Sequence, residues 1–393
     1  MRIRHLPEDF RVEEDVALPE GQGAYVYYRI RKSGISTMAV RDEMAELLKV
    51  TPSALIFPAI KDAASLTIQY ASVRKQGPEE IAGKGFVASR VGCGARALRP
   101  KDLNGNRYAL ILRDLSEQEA QLLREKLLLL EVEGVPNYFD EQRFGSLAAP
   151  GFIGKAILVR DVEQAVRFYL SEPMLSDPRR VREFKMLVKS HWGQWGYLLH
   201  QAPRPSNYRS VITYLKDHPH DYQKAVNLIQ DRLLSLYLSA YQAWIWNLIL
   251  GRYFESVAPP ATYVDIVGTR FPVPEHSDDV VAWQKLQIDL PRLTACYEGE
   301  LAEVAEAVFI SEGLSLRDFK ARILRRVYLP KGERTAWFVP SAVAIADPYP
   351  DDQIPNRWAL SVNFTLPSGY YATLVLKVAA ANAGVNFPTR GIA

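Results

Sequence analysis

Residues 61–69 read KDAASLTIQ, and residues 137–145 read NYFDEQRFG. The first stretch sets a lone acid, Asp62, beside a lysine at the entry to a segment of hydroxyl and amide side chains. The second packs an aromatic pair, an amide and a guanidinium into one short run. Together the two stretches favour a carboxylate site with an aromatic platform, which suits chemistry on a nucleoside.

The chain around the first stretch reads mostly as strands. Alternating patterns that predict half-buried strands occur at residues 24–31, 67–74 and 107–113. Residues 37–50 have the spacing of a helix. Asp62 is therefore expected in a connection between two strands, where rigid sheets often present catalytic groups.

The second stretch follows a predicted helix end. Ser116 and Glu119 form a capping box at the start of a Leu-rich helix, and Gly134 follows the end of that helix. The loop that carries residues 137–145 then begins at Pro136. Within this loop we expect Phe144 to be a core residue.

From about residue 158 the pattern becomes mainly helical. Helices are predicted at residues 162–170, 181–189, 222–254 and 301–312. After about residue 336 strands return, at residues 358–364 and 371–378. Strands, then a long mixed insert, then strands predict one domain that is interrupted by another.

These stretches resemble the TruD family of tRNA pseudouridine synthases. Residues 61–69 are similar to the family's KDxxAxTxQ segment, residues 137–145 to NYFxxQRFG, and residues 364–373 to FxLPxGxYAT. Weaker matches link residues 7–14 to DFxVxE, 32–37 to KxGxNT, 104–106 to KGN and 240–247 to AYQSxxFN. The matches occur in family order, so the set is far more specific than any one of them.

The resemblance implies an α+β fold. Its expected form is a pseudouridine-synthase-type mixed, mainly antiparallel sheet flanked by helices and interrupted by a largely helical α/β insertion domain. We expect residues 1–157 to form the N-terminal part of the catalytic domain and 337–393 its C-terminal part. Residues 158–336 are expected to form the insertion domain.

The reaction that the resemblance implies breaks the N-glycosidic bond of uridine, turns the base and rejoins it through carbon. No redox change occurs, and the chain has neither a G-x-G-x-x-G motif after a strand nor a P-loop lysine, so no cofactor is expected. Asp62 is the catalytic candidate, as a nucleophile at the sugar or as a base. Without the resemblance, Asp62 would read more simply as a turn residue.

A cation near the acid would favour its charged form. Lys61 is adjacent, although consecutive side chains of extended backbone point apart. Arg4 stands at the position of the family's basic partner, where the family has a lysine; its alternative role is that of an ordinary exposed arginine. Both are expected on the substrate side of the site.

The remaining site residues also follow from the resemblance. Phe139 is expected to stack on the extruded base, and Asn137 to hydrogen-bond in the pocket. Tyr138 is then expected to turn away as a core residue. Arg143 either holds a phosphate or pins its loop, and Gln142 supports the motif. Thr67 and Gln69 lie two apart, so a strand places both on one face, where we expect them to orient the Asp62 loop.

Charge and composition add less. The formal net charge of +3 decides nothing about nucleic acid. Basic residues cluster three times: Arg90, Arg96, Arg99 and Lys101; Arg179, Arg180, Arg182, Lys185 and Lys189; Arg322, Arg325, Arg326, Lys331 and Arg334. Each cluster is either a solvated face or part of a phosphate track.

No uninterrupted run of 18 apolar residues occurs, so no membrane span is expected, and the N-terminal residues do not read as a secretory signal. Cys93 and Cys296 have no nearby metal partners, and the histidine pair His218 and His220 lacks a third ligand. We therefore expect no metal and two free, buried thiols in a reduced cytoplasm.

The sequence thus predicts a cytoplasmic, cofactor-free isomerase that converts a uridine of tRNA, at position 13 by resemblance, to pseudouridine. Its oligomeric state stays open. One alternative is a non-catalytic RNA-binding protein of the same fold. Another is a glycoside hydrolase, which normally needs two acids, whereas Asp62 has only Asp140 or Glu141 as weak candidate partners.

Overall fold

The computed structural model describes residues 1–61, 63, 65–74, 77–148, 151–204, 206–275 and 279–388. The strands are β1 (Phe10–Val16), β2 (Tyr25–Lys32), β3 (Leu55–Ile56), β4 (Leu66–Val73), β5 (Glu80–Gly83), β6 (Phe86–Gly94), β7 (Leu103–Leu115), β8 (Val135–Pro136), β9 (Pro260–Ile266), β10 (Thr269–Pro274), β11 (Gln287–Asp289), β12 (Glu333–Thr335), β13 (Trp337–Phe338), β14 (Ser341–Ile345), β15 (Tyr349–Pro350) and β16 (Trp358–Pro367). The helices are α1 (Thr37–Leu48), α2 (Glu117–Glu133), α3 (Ile153–Leu158), α4 (Val162–Ser171), α5 (Arg179–Ser190), α6 (Trp195–Gln201), α7 (Arg209–Asp217), α8 (Tyr222–Val226), α9 (Asp231–Val257), α10 (Val280–Lys285), α11 (Glu300–Glu312) and α12 (Ala372–Asn382).

Two compact units divide the described chain. The terminal unit consists of Met1–Val135 and Val339–Pro388, and the central unit consists of Pro136–Phe338. The domain boundaries expected at 157/158 and 336/337 stay a prediction.

The terminal unit is built on one large sheet. Its strands follow the order β14-β16-β7-β1-β4-β2-β6-β5, with β15 beside β16 and β3 beside β4. The pair β1–β4 is parallel, and the other described pairs of this sheet are antiparallel. The mixed, mainly antiparallel sheet with its helices confirms the predicted α+β class.

Alternation decides which side chains of β1 enter the core. Phe10, Val12 and Glu14 lie two apart, and they are 4%, 7% and 3% exposed. Phe10 and Val12 contribute apolar area, which is the main source of folding stability. Glu14 occupies the third inward position, so the pleat of the strand buries a carboxylate.

Helices α1 and α2 follow their sequence signals. Ser36 caps α1, and Val40, Met44 and Leu48 of that helix pack into the core of β2, β4 and β6. The predicted capping box of α2 is confirmed: Glu119 N–H donates to Ser116 Oγ at 3.2 Å, and Ser116 N–H donates to Glu119 Oε2 at 2.7 Å.

The central unit is organised around α9. Helices α3 and α11 pack on α9, and Trp246 and Phe254 of α9 are fully buried. By length and composition α9 could span a membrane, but 67% of its most apolar window is buried inside the fold. A buried core helix has the same composition, so the length and apolar character of α9 are not evidence that it spans a membrane.

Three predictions from the sequence are wrong. The segment predicted as a strand at residues 371–378 lies in α12 from Ala372 onward, because the alternating Leu and Val residues are followed by helix-favouring alanines and nearly the whole helix is buried. Residues 222–254 form two helices, α8 and α9, rather than one. The chain between them leaves helical geometry at residues 227–230, where Asn227 Nδ2 donates a hydrogen bond to Ile323 O at 2.9 Å. Cys93 and Cys296 are exposed rather than buried.

A buried cation ties the two chain ends of the terminal unit together. Arg113 of β7 is 3% exposed and donates to Asp9 at 2.9 Å, to Asp351 at 2.7 Å and to Asp352 at 2.6 Å. Asp9 and Asp351 are themselves buried. The guanidinium therefore compensates carboxylates that come from residues far apart in sequence.

Arg113→Met is expected to lower the free energy of unfolding by about 3–5 kcal/mol, because it leaves buried carboxylates without a cation. Urea denaturation at neutral pH measures the loss. The control is Arg90→Met, whose guanidinium pairs with the largely exposed Glu79 at 3.2 Å and should cost less than about 1 kcal/mol. Equal losses in the two variants would contradict the assignment.

Candidate functional site

Lys61 lies at a buried polar junction of the terminal unit. Its ammonium donates to Asn106 Oδ1 and forms an ion pair with Glu14 at 3.4 Å. The register of β1 and β7 places Glu14 opposite Asn106. The Lys61 side chain is 14% exposed and that of Glu14 is 0% exposed, so this charge is held between two groups of the sheet.

Asp62, the predicted catalytic residue, lies outside the described residues, and the residues on either side of it are held by the motif segments. Thr37 Oγ1 accepts a hydrogen bond from Lys61 N–H at 2.9 Å. Gly34 N–H donates to Ala63 O at 3.1 Å. The backbone at 61 and 63 is thus bonded to the loop and the helix start that follow β2.

Thr67 and Gln69 are both fully buried in β4. The Thr37 hydroxyl lies 2.9 Å from Gln69 Oε1 and 3.1 Å from Lys61 O. Thr67 Oγ1 lies 3.2 Å from Ser65 Oγ. These bonds connect β4 and α1 with Lys61 and Ser65, and the orienting role of Thr67 and Gln69 stays a prediction.

The electrostatics of the junction centre on Glu14. Burial raises the pKa of the Glu14 carboxyl, while the Lys61 charge, the Tyr70 N–H bond at 2.8 Å and the Lys32 charge oppose that rise. Lys32 is itself buried, and its Nζ donates to Ile35 O at 3.0 Å. Desolvation thus disfavours the charged form of the Glu14 carboxyl, and its two cationic neighbours partly offset that effect.

Glu14 and Asn106 were missing from the predicted site residues. A usable signal exists for Glu14, because the pattern Phe10, Val12, Glu14 puts an acid at an inward strand position. A buried carboxylate needs a cation or a hydrogen-bond donor. The sequence cannot say which of several lysines supplies it.

Arg4 lies over the ring of Phe10, with the guanidinium carbon 4.2 Å from the ring centroid. Its side chain is half-buried rather than free at the surface. This cation–π contact fixes Arg4 next to the Asp9-Phe10 pair of the first family segment.

In the central unit, Asn137 is fully buried and bonded to β12. Its Nδ2 donates to Thr335 O at 2.9 Å and to Thr335 Oγ1 at 3.0 Å. Arg334 Nε donates to Asn137 O at 2.7 Å, and Arg334 Nη2 donates to Asn137 Oδ1. The backbone carbonyl and the side-chain amide of Asn137 thus fix the position of the Arg334 guanidinium.

The backbone of Phe139 is held by one side chain of α9. Phe139 N–H donates to Asn247 Oδ1 at 2.8 Å, and Asn247 Nδ2 donates to Phe139 O at 2.8 Å. Both residues belong to segments that resemble the family, and the pairing explains why a buried asparagine stands in an otherwise apolar helix.

The ring of Phe139 is 8% exposed and surrounded by aromatic and cationic groups. Trp246 meets it edge to face at 5.5 Å, and the Arg334 guanidinium lies 4.4 Å from its centroid. Arg143 lies 5.7 Å away, in the short 3-10 helix Glu141–Phe144. A base that stacks on the face covered by Arg334 must take the place of that guanidinium.

The other residues of 137–145 that were named from the sequence lie in the core or at the surface of the central unit. Tyr138 and Phe144 are fully buried, which confirms them as core residues, and Tyr138 Oη donates to Pro272 O at 2.8 Å. Gln142 is exposed on the short 3-10 helix.

Within the part of the chain that the structure describes, no group of three or more His, Cys, Asp or Glu side chains could hold a metal ion.

Lys61→Met is expected to lower the free energy of unfolding by about 3 kcal/mol at neutral pH, since it leaves Glu14 buried without its nearest cation. Its loss raises the pKa of Glu14 further. A carboxyl whose folded pKa exceeds its unfolded value loses folding stability as the pH rises between the two values. The deficit should therefore be larger near pH 8 than near pH 5 in urea denaturation.

The control is Lys84→Met, because Lys84 is an exposed lysine of the same unit. It should change little at either pH. A deficit of Lys61→Met that is the same at both pH values would refute the role of Glu14.

The chain is similar to known proteins of one family over nearly its whole length. The family model described as tRNA pseudouridine synthase D (TruD) matches residues 1–378. A Methanocaldococcus jannaschii protein, provisionally named tRNA pseudouridine synthase D 2, is 27% identical over 391 residues, which are 96% of this chain and 91% of that protein. A Geobacter protein named tRNA pseudouridine synthase D is 29% identical over 392 residues, which are 95% of this chain and 94% of that protein.

A solved structure agrees with these matches. The Methanosarcina mazei protein, provisionally described as tRNA pseudouridine synthase D, superimposes with a TM-score of 0.72 at 25% identity. The match covers 98% of this chain and 93% of that one. The ordered motifs, the mixed sheet and the family match over residues 1–378 lead to one conclusion: the chain belongs to the TruD family of tRNA pseudouridine synthases.

Proposed function

We propose that this isomerase acts on a uridine of tRNA, at position 13 by family resemblance, and that Asp62 is its catalytic carboxylate. The observation that carries the proposal is the convergence of three other motif segments on Lys61. Glu14, Thr37 and Asn106 come from separate stretches and contact Lys61, and Gln69 of the Lys61 segment itself bonds to Thr37. Such support is expected where a neighbouring side chain must be held in a reactive geometry.

The chemistry assigned to Asp62 has two forms. As a nucleophile, its carboxylate attacks the anomeric carbon while the bond to N1 of uracil breaks. As a base, it removes a sugar proton instead. In both forms the freed base turns and its C5 bonds to the anomeric carbon. This step displaces the Asp62 carboxylate in the nucleophilic form and is accompanied by return of the proton to the sugar in the base form. The C5 proton then leaves and N1 gains a proton, so no oxidant or reductant is consumed.

In this proposal Lys61 is a positioning residue. Its ammonium is engaged by Glu14 and Asn106, so it holds the backbone before Asp62 in place. Arg4 remains the candidate for the basic partner by its position before the Asp9-Phe10 pair. An arginine there keeps a permanent positive charge.

The central unit supplies the proposed base-binding residues. Phe139 stacks on the extruded uracil, and Asn137 and Arg334 set the position of that ring. Asn247 fixes the Phe139 backbone at both of its polar atoms. Stacking of this kind is worth about 1–3 kcal/mol per base.

The wider proposals follow from the family. Residues 1–157 and 337–393 form the catalytic domain, and residues 158–336 form the insertion domain. Cytoplasmic tRNA is the substrate, and the chemistry requires no metal.

Asp62→Asn is expected to lower pseudouridine formation in a tRNA transcript by at least about 10²–10⁴-fold, because the amide neither attacks carbon nor accepts a proton effectively. Binding of the tRNA should remain close to that of the unaltered protein. Mass-based mapping of pseudouridine measures the product, and filter binding measures affinity.

The matched control is Asp42→Asn, which changes an exposed carboxylate on α1 of the same unit and should keep full activity. If the unaltered protein binds tRNA but yields no pseudouridine, the non-catalytic alternative is correct. Release of free uracil would instead indicate a hydrolase.

Arg334→Lys is expected to lower the turnover rate about tenfold while changing the affinity for tRNA less than about twofold. Lysine keeps the charge but cannot contact Asn137 at two points while lying flat on Phe139. Single-turnover rates and binding constants separate the two effects. Arg252→Lys, an exposed change on α9, should have no effect, and an unchanged rate for Arg334→Lys would refute its positioning role.

A further inference from the structure

The segment between α11 and β12 presents cations and one aromatic ring to solvent. We call residues 321–332 the basic loop. Its buried residues recur every third position, at Ala321, Leu324 and Val327. Its exposed side chains include Arg322, Arg325, Arg326, Tyr328 and Lys331.

The basic loop is held in place by side-chain bonds. Asn227 Oδ1 accepts a hydrogen bond from Arg325 N–H at 3.2 Å, and Asn227 Nδ2 donates to Ile323 O at 2.9 Å. At the far end, Leu290 N–H donates to Gly332 O at 2.9 Å. Gln242 Nε2 also donates to Pro330 O, at 3.1 Å. A backbone bonded at these points keeps the outward side chains in one arrangement, which reduces the entropy cost of binding.

The cations of the basic loop differ from those of the other basic clusters. Residues 321–332 contain no acid, and the four cations form no ion pair with the described residues. In α5, by contrast, Lys185 pairs with Asp177 at 2.7 Å and Lys189 pairs with Glu172 at 2.8 Å. Of the clusters seen in the sequence, the basic loop thus has the most positive charge available for an anionic partner.

Tyr328 places an exposed aromatic ring on the basic loop, which a surface that is merely solvated by water does not require. It is 82% exposed, the highest value among the exposed large hydrophobic side chains of the described chain. A lone exposed ring is ordinary on a protein surface. A lone ring among four unpaired cations matches the chemistry of single-stranded nucleic acid, in which bases stack and phosphates need positive charge.

The basic loop is also close in sequence to the proposed base platform. Tyr328 precedes Arg334 by six residues, and the Arg334 guanidinium lies on the Phe139 ring. Six residues span at most about 20 Å. A strand whose uridine reached Phe139 would have its neighbouring nucleotides within that range.

We propose that the basic loop binds the tRNA strand that flanks the target uridine, with Arg322, Arg325, Arg326 and Lys331 on phosphates and Tyr328 stacked on an unpaired base. The proposal deepens the proposed function and rests on it, because it takes tRNA as the substrate and Phe139 as the base site. An acidic protein is the competing occupant.

The test compares Tyr328→Ala, Tyr328→Phe and the double change Arg325→Gln with Arg326→Gln. Tyr328→Ala should weaken tRNA binding about tenfold, and Tyr328→Phe should retain affinity because the stacking face remains. The double change should reduce the slope of log K against log salt by about 1.4–1.8. Single-turnover rates at saturating tRNA, measured for every variant, separate the loss of binding from any change in the chemical step.

The matched control is Lys216→Gln with Arg252→Gln, which removes two exposed charges from helices of the same unit. In this control variant the slope of log K against log salt concentration should fall clearly less than in the Arg325→Gln and Arg326→Gln double variant. Affinity of Tyr328→Ala equal to that of the unaltered protein, or an equal loss of slope in the control, overturns the proposal. Polyglutamate that binds as tightly as tRNA and depends equally on the basic loop overturns it in favour of the acidic partner.

The two proposals fail separately. If the unaltered protein forms no pseudouridine while Tyr328→Ala still weakens tRNA binding, the proposed function is wrong and the RNA surface stands. If pseudouridine forms normally and the basic-loop variants bind like the control, the RNA surface is wrong and the proposed function stands.

Discussion

The terminal unit depends on a buried charge pair at the centre of its sheet. Glu14 is desolvated by the pleat of β1, and Lys61 with Asn106 compensates it from a loop and from β7. Removing either charge leaves the other buried, which costs more than the pair itself contributes. Strand register, loop position and the protonation state of the carboxyl are therefore linked, and residue 62 follows directly on this fixed point.

A second polar arrangement organises the central unit by a different principle. The side-chain amide of Asn247 bonds both the N–H and the C=O of Phe139, so the backbone of this loop residue is fixed without belonging to a strand or a helix. Arg334 then joins the Asn137 amide to the Phe139 ring. Here neutral amides and one guanidinium, rather than a buried ion pair, determine where an aromatic face lies.

Much of the fold was readable from local pattern. The capping box of α2 and the core position of Phe144 required only spacing and residue type. The strand predicted at residues 371–378 was wrong, because a helix buried on nearly all sides has no amphipathic period to identify it. Glu14 and Arg334 went unassigned for a related reason: their roles lie in partners distant along the chain.

The sequence by itself determined the family and the α+β class, because ordered motifs retain residue type and spacing. Only the tertiary structure decided which cation neutralises Glu14 and which guanidinium covers Phe139. Those pairings join residues separated by tens to hundreds of positions. Desolvation and hydrogen-bond geometry select among many equivalent lysines and arginines only once the chain is packed.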